Sequence, residues 1–261
     1  MNIRFLGTHN TVSADSRYTS FLIDGVIGVD AGSIASSLTL EEQRKINAVL
    51  LSHGHYDHIR ELPTLAFNNV LRENAIKVYG TRLTLDLFYD RLSDGKIYPD
   101  FVHGTAHFEK PVLELKEAAE PERFDVSGYS VLAVKIPHNP SSIGFEIEKD
   151  AGRLFYTSDT GPGLSEAWPR VKPDLLITEL TLPDRLLDFA RDSHHLCPKL
   201  LRLELEEFRR LKGYLPRVLA AHRNPEFEPE ILRDLNLAFE GFPADVSLAE
   251  TDRTYYVQKN P

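Results

Sequence analysis

Short apolar runs alternate with polar breaks along the first third of the chain. Residues 2–7 (NIRFLG), 20–24 (SFLID) and 26–30 (VIGVD) are strand-length runs broken by Gly, Asn and Asp, and they predict successive strands. Residues 38–45 carry a helical pattern, and 46–51 (INAVLL) are apolar but for Asn47, as in a strand buried on both faces. The spacing predicts a loop from Ser52 to His58 at the carboxyl end of that strand, where open α/β sheets collect ligands. A helix opened by Pro63 is expected from Leu62 to about Asn74, then a strand at 76–80. The helical stretch TRLTLDLFYDRL then runs into a less regular segment, so an insertion is expected around residues 81–110.

Strand signals return at 112–115, 129–136, 143–148, 153–156 and 175–178. Leu200, Leu201, Leu203, Leu205 and Leu211, with charges between them, predict a helix from Cys197 to Lys212. A strand at 217–221 and a last helix at 228–240 complete the pattern. With no repeat of 20–50 residues and no linker, one domain over residues 1–261 is expected.

The 261 residues are 42% hydrophobic and 26% charged, which excludes wholesale disorder. Thirty Lys and Arg against 39 Asp and Glu give a net charge of −9. That balance argues against duplex DNA as a partner, because non-specific binding needs surplus cations on the protein. A small anion held through metal ions stays compatible with it. The one cysteine, Cys197, excludes an internal disulfide and a Cys-based zinc site, and it fits a reducing compartment. The opening MNIRFLGTHNTVSADS lacks the apolar run of a signal peptide, and no stretch approaches ~18 uninterrupted apolar residues. A cytoplasmic protein with no membrane partner is expected.

Histidines supply the chemistry. Three of the ten, with one aspartate, fill six positions, His53-Gly54-His55-Tyr56-Asp57-His58. From the chain's own His and Asp frequencies, such a pattern should arise about once per thousand sequences of this kind. Neutral imidazole and carboxylate suit borderline cations such as Zn²⁺. A strand-end loop with His at i, i+2 and i+5 cannot aim all three rings at one point without strain. It can aim two at one metal while Asp57 and His58 turn toward a second, so a two-metal site is expected. Three more residues of metal-binding type follow apolar runs: His138 after YSVLAVKIP, Asp159 after LFYTS and His222 after RVLAA.

In this order the residues resemble the H-x-H-x-D-H … H … D … H signature of the metallo-β-lactamase-fold hydrolases. The resemblance covers essentially the whole chain and implies an α+β fold, a four-layer αβ/βα sandwich with the metals at one edge. It further implies that His53, His55 and His138 hold one metal, that Asp57, His58 and His222 hold the other, and that Asp159 bridges. Two divalent ions are then the expected cofactors, with zinc first and manganese or iron as alternatives.

Two segments resemble the phosphodiesterase side of that superfamily, ribonuclease Z and the class II cyclic-nucleotide phosphodiesterases. His138 to Phe145 (HNPSSIGF) is similar to their H-x-x-x-S-x-G-[YF], which makes Ser142 a substrate-binding candidate, and YTSDTG around Asp159 is similar to their Y-x-[SG]-D-T-G. Glu179 and the His195-Leu196-Cys197-Pro198 segment resemble a Glu–His pair that orients the phosphate and protonates the leaving oxygen, with His194 adjacent as the other candidate. KIYPDF at 96–101 is similar to a stretch of the cyclic-nucleotide enzymes, with Tyr98 in place of Trp and open to either base stacking or packing of the insertion. The expected function is phosphodiester cleavage by a metal-bridging hydroxide, with His195 as acid and Glu179 behind it. The substrate would be a (cyclic) nucleotide or another small phosphodiester, and a homodimer is compatible. The alternatives are hydrolysis of another ester, amide or thioester, and a tRNA 3′-processing ribonuclease.

Overall fold

The computed structural model describes residues 1–105, 110–118, 123–150 and 152–258. An antiparallel run, β1 (Asn2–Gly7), β2 (Ser20–Ile23) and β3 (Ile27–Val29), starts the first sheet. Helix α1 (Leu40–Gln43) leads to β4 (Ala48–Leu50), parallel to β3. Helices α2 (Tyr56–Ile59) and α3 (Leu62–Asn68) lead to β5 (Ile76–Gly80), and α4 (Arg82–Phe88) precedes β6 (Leu113–Glu117), both strands again parallel to their predecessors.

The second sheet begins with antiparallel β7 (Arg123–Val126), β8 (Tyr129–Ile136), β9 (Ser142–Lys149) and β10 (Gly152–Tyr156). It continues in parallel through β11 (Leu175–Glu179), helices α5 (Leu187–Asp192) and α6 (Pro198–Lys212), then β12 (Arg217–Ala221), α7 (Glu228–Phe239) and β13 (Val246–Leu248). Finally β14 (Thr254–Tyr256) returns to pair with β1. The described strands form two seven-stranded sheets, ordered β14-β1-β2-β3-β4-β5-β6 and β13-β12-β11-β10-β9-β8-β7.

Three apolar clusters define the layers. Between the sheets, Ile3, Phe5, Phe21 and Leu50 of one meet Val131, Ala133, Phe145 and Ile177 of the other. The outer face of the first sheet packs on its helices through Val49, Leu51, Leu62, Leu65 and Phe88. The outer face of the second packs on α6 and α7 through Leu132, Val134, Leu201, Leu205, Phe208 and Ile231. Successive residues point to opposite faces of a strand, so a strand covered on both sides must be apolar at every position. That is why AVLL at 48–51 and VLAV at 131–134 read as unbroken runs. The result is the α+β, four-layer αβ/βα sandwich expected from the sequence.

Three expectations are corrected. The segment from Ser52 to His58 is not all loop, because Tyr56 to Ile59 form α2 and carry Asp57 and His58 in a helical turn. Helix α3 stops at Asn68 rather than near Asn74, where the Asn69 amide donates to the Leu65 carbonyl at 2.8 Å. Such a local side-chain bond competes with helix continuation. The edge strands β7, β13 and β14 and helix α5 were not anticipated, since short mixed-polarity edges lack the burial that makes a pattern. Within the expected insertion, α4 runs into a π-helical turn at Tyr89–Ser93. No helix among the described residues is long and apolar enough to cross a membrane.

Candidate metal centre

Strand ends deliver the chemistry to one edge of the sandwich. The first sheet presents His53 and His55 after β4, and Asp57 and His58 in α2. The second presents His138 after β8, Asp159 after β10, Glu179 at the end of β11 and His222 after β12. All seven expected ligands meet there. His53, His55, His138 and Asp159 form one group, and Asp57, His58, Asp159 and His222 a second, with ligand atoms within 4.8 Å of one another in each.

The separations match what a cation requires. Donors ~2.0–2.1 Å from a tetrahedral ion lie ~3.3 Å from one another. In the second group His58 Nε2 is 3.4 Å from both Asp57 Oδ2 and Asp159 Oδ2. His222 Nε2 is 3.2 Å from Asp57 Oδ2 and 3.3 Å from Asp159 Oδ2. In the first group His55 Nδ1 lies 2.9 Å from His53 Nε2 and 3.5 Å from His138 Nε2, and Asp159 Oδ2 stands 3.9 Å from His53 Nε2. His58 Nε2 and Asp159 Oδ1 are buried without a hydrogen-bond partner. Buried polar atoms are normally satisfied, so these two orphans mark where a positive ion fits.

The far sides of the His53, His58, His138 and His222 rings are tied down. His53 Nδ1 lies 3.1 Å from Ser52 Oγ and 3.4 Å from Ser158 Oγ. His58 Nδ1 donates to Asp30 Oδ2 at 2.8 Å, His138 Nδ1 to the His194 carbonyl at 3.0 Å, and His222 Nδ1 to Thr181 Oγ1 at 3.1 Å. In His58, His138 and His222 the bond turns Nε2 inward, the arrangement that orients metal-binding imidazoles. Asp30 is fully buried; its Oδ2 also accepts from Ser52 Oγ at 2.9 Å and Tyr156 OH at 2.7 Å, and its Oδ1 from Ser52 N at 2.9 Å. Asp30, Ser158, His194 and His222 all have φ between 53° and 62°. Such backbone is costly for residues other than glycine and tends to mark functional sites.

Burial and crowding by other imidazoles push His53 well below its ordinary pKa, and burial with His138 nearby lowers His55. Both are therefore neutral donors. Burial alone would raise Asp57 and Asp159. The facing imidazoles, chiefly His58 for Asp57 and His222 for Asp159, outweigh it and hold both carboxylates ionised.

Glu179 and His195 lie against this cluster. Glu179 Oε1 accepts from His195 Nδ1 at 2.7 Å and Thr160 N at 2.8 Å, and its Oε2 from Thr181 Oγ1 at 2.6 Å and Leu196 N at 3.1 Å. The His195 ring stacks 5.7 Å from His222, with His138 at 5.2 Å. Burial opposes its charge, but the Glu179 carboxylate prevails and lifts it to about 9. His194 is exposed and enters through its carbonyl alone among these contacts, which selects His195 of the adjacent pair.

Other candidates fall elsewhere. Ser142 is fully buried, 3.5 Å from Ser158 Oγ, so its hydroxyl braces the loop beneath His53 instead of facing a substrate. Tyr98 packs on the outer cluster of the first sheet, 6.4 Å from the Phe101 ring and 3.2 Å from Thr64 Oγ1, which is the packing alternative. Arg223 turns inward to the Ala220 carbonyl and Thr8 Oγ1. His103 is held by Asp100 at 2.9 Å, and His107 lies outside the described residues. Sequence reasoning missed Thr181, which carries no motif, and the approach of Ser158 to His53, which its place in YTSDTG does not signal.

Residues 19–203 match the family model of the beta-lactamase superfamily domain, and the chain belongs to that superfamily. It is 30% identical over 142 residues to Ribonuclease J of Thermus thermophilus, a match covering 54% of this chain and 23% of that protein. The chain therefore aligns with under a quarter of that relative's length. Among solved structures, yeast PDE1 superposes with a TM-score of 0.80 at 16% identity over 97% of this chain and 98% of the other. The metallo-beta-lactamase fold protein YhfI of Bacillus subtilis superposes at 0.77 with 19% identity, again over 97% and 98%. At those identities the likeness is one of fold.

Proposed function

We propose that this protein is a metal-dependent hydrolase of phosphodiesters, acting on a small nucleotide with a pair of divalent ions. The observation that carries the reading is a proton donor set against a ligand cluster: His195, fixed by Glu179 at 2.7 Å, shares a group with the ligand His222. A hydrolase that protonates its leaving alkoxide needs that pairing. His53, His55 and His138 would hold one ion, Asp57, His58 and His222 the other, with Asp159 between them. Ions so bound would supply a Lewis acid for the phosphoryl oxygens and would make a bound water more acidic.

The chain's own residues do the rest. Glu179 fixes the Nδ1–H of His195, which leaves Nε2–H directed at the substrate side. Held near 9, His195 is protonated at neutral pH and can give its Nε2 proton to the departing oxygen. Thr181, bonded to both Glu179 and His222, keeps the acid and the metal ligand in register. A zinc- or manganese-loaded preparation should hydrolyse bis-(p-nitrophenyl) phosphate and leave nitrocefin and a thioester intact. The reverse preference would overturn the reading. A second reading, an RNA phosphodiester, draws on the likeness to Ribonuclease J, but the net charge of −9 weighs against a long polyanion.

A further inference from the structure

Beside His195 a cavity of about 530 Å³ opens, within the range of small-molecule sites. One wall is apolar: Leu182, Leu186, Phe189 and Phe227. Phe189, on α5, is 59% exposed and lines the cavity, so its ring can take a contact from an occupant. Arg185, bonded to Glu230 at 2.8 Å, lies 5.1 Å from the Phe227 ring centroid and supports it from one side. The rim is polar. Asn10 Oδ1 is buried without a hydrogen-bond partner. Asn224 Oδ1 accepts from Glu226 N at 3.0 Å, which leaves its NH₂ to donate. Thr181 and His195 line the same cavity, and both touch His222, so it adjoins the ligand cluster.

We infer that this cavity is the subsite for the nucleobase of the nucleoside that carries the departing oxygen. The inference rests on the phosphodiesterase reading and extends it to the part of the substrate away from phosphorus. His195 is the proton donor to that oxygen, so the group attached to it must lie on the His195 side. A planar ring offers apolar faces to Phe189 and Phe227, while its edge alternates donors and acceptors. An unpaired carbonyl oxygen on Asn10 and a free NH₂ on Asn224 complement such an edge. A purely aliphatic ester would leave both amides unmatched, which costs binding. Base–aromatic stacking depends on the π-face and tolerates different bases, so the site selects nucleosides over bare sugars more than one base over another.

The test is equilibrium binding by calorimetry to the full chain loaded with Zn²⁺ or Mn²⁺, using AMP and ribose 5-phosphate as probes. AMP should bind at least ~10-fold tighter, the order expected of one stacked base. Phe189→Ala changes an exposed side chain, so the fold is retained. It should shrink the AMP advantage to threefold or less without altering ribose 5-phosphate affinity, and Phe189→Trp should restore it. Equal affinity of the two probes for the unaltered protein, or an AMP advantage untouched by Phe189→Ala, would overturn the subsite. Turnover of bis-(p-nitrophenyl) phosphate without any AMP preference would sink the subsite alone. An AMP preference without phosphodiester turnover would sink the catalytic reading and leave the pocket standing.

Discussion

Replacing Asp30 by Asn changes a single atom yet strikes the support of the His53–His58 segment. Four donors converge on this carboxylate: Ser52 N on Oδ1, and Ser52 Oγ, His58 Nδ1 and Tyr156 OH on Oδ2. An asparagine offers one acceptor oxygen and an NH₂ group. In its better orientation the oxygen keeps the three Oδ2 partners, and the NH₂ confronts Ser52 N–H. The Ser52 N–H and the NH₂ facing it are then both buried donors without an acceptor, each costing ~1–3 kcal/mol. For a chain of this size each corresponds to roughly 2–12 °C in melting temperature. The larger effect falls on the metal centre. The anion behind His58 makes Nε2 a stronger donor and fixes its aim, and loss of such support typically lowers metal affinity ~10–100-fold. Zinc titration against a chromophoric chelator, with thermal unfolding of the metal-free protein alongside, measures both. An Asp30→Asn protein that binds zinc within twofold of the unaltered chain would refute the reasoning.

His195→Ala should slow hydrolysis of an alkyl phosphodiester by ~10²–10⁴ with metal content unchanged, whereas Asp159→Ala should lose metal by elemental analysis. Equal metal loss in both would make His195 a ligand and not the acid. The alkaline limb of the pH–rate profile should fall near 9, because His195 must be protonated to act. Glu179→Gln removes the charge that chiefly raises it, so the limb should move to lower pH; a stationary limb would exclude the pair. Burial pushes the Cys197 thiol up to about 12, so Ellman's reagent at pH 8 should react only after unfolding, and immediate labelling of the folded chain would contradict its placement in the core.

The architecture was legible wherever a strand is covered on both faces. AVLL, VLAV and VLAA announced β4, β8 and β12 because doubly buried positions leave little room for polar residues. The metal-type residues were legible because they follow those same runs, so locating strand ends located His138, Asp159 and His222. What hid was decided by neighbours distant in sequence. Asp30 carries no motif, and its role depends on Tyr156 and His58 meeting on it. Ser142 matched a motif, yet packing against Ser158 withdrew its hydroxyl. The aromatic wall of the cavity also escaped notice, since Phe189 and Phe227 stand 38 residues apart and their adjacency depends on how α5 and the start of α7 close over β11 and β12. The choice between His194 and His195 needed Glu179 in place.

The seven donors divide almost evenly across the sandwich, four following β4 of one sheet and three following β8, β10 and β12 of the other. Any ion seated among them works as a rivet through the seam, adding cohesion that owes nothing to apolar contact. The grip between the two half-sandwiches is thereby metered by the supply of cations. A cell starved of them would hold not merely an idle catalyst but a molecule easier to pry open along that seam, and so easier for proteases to clear.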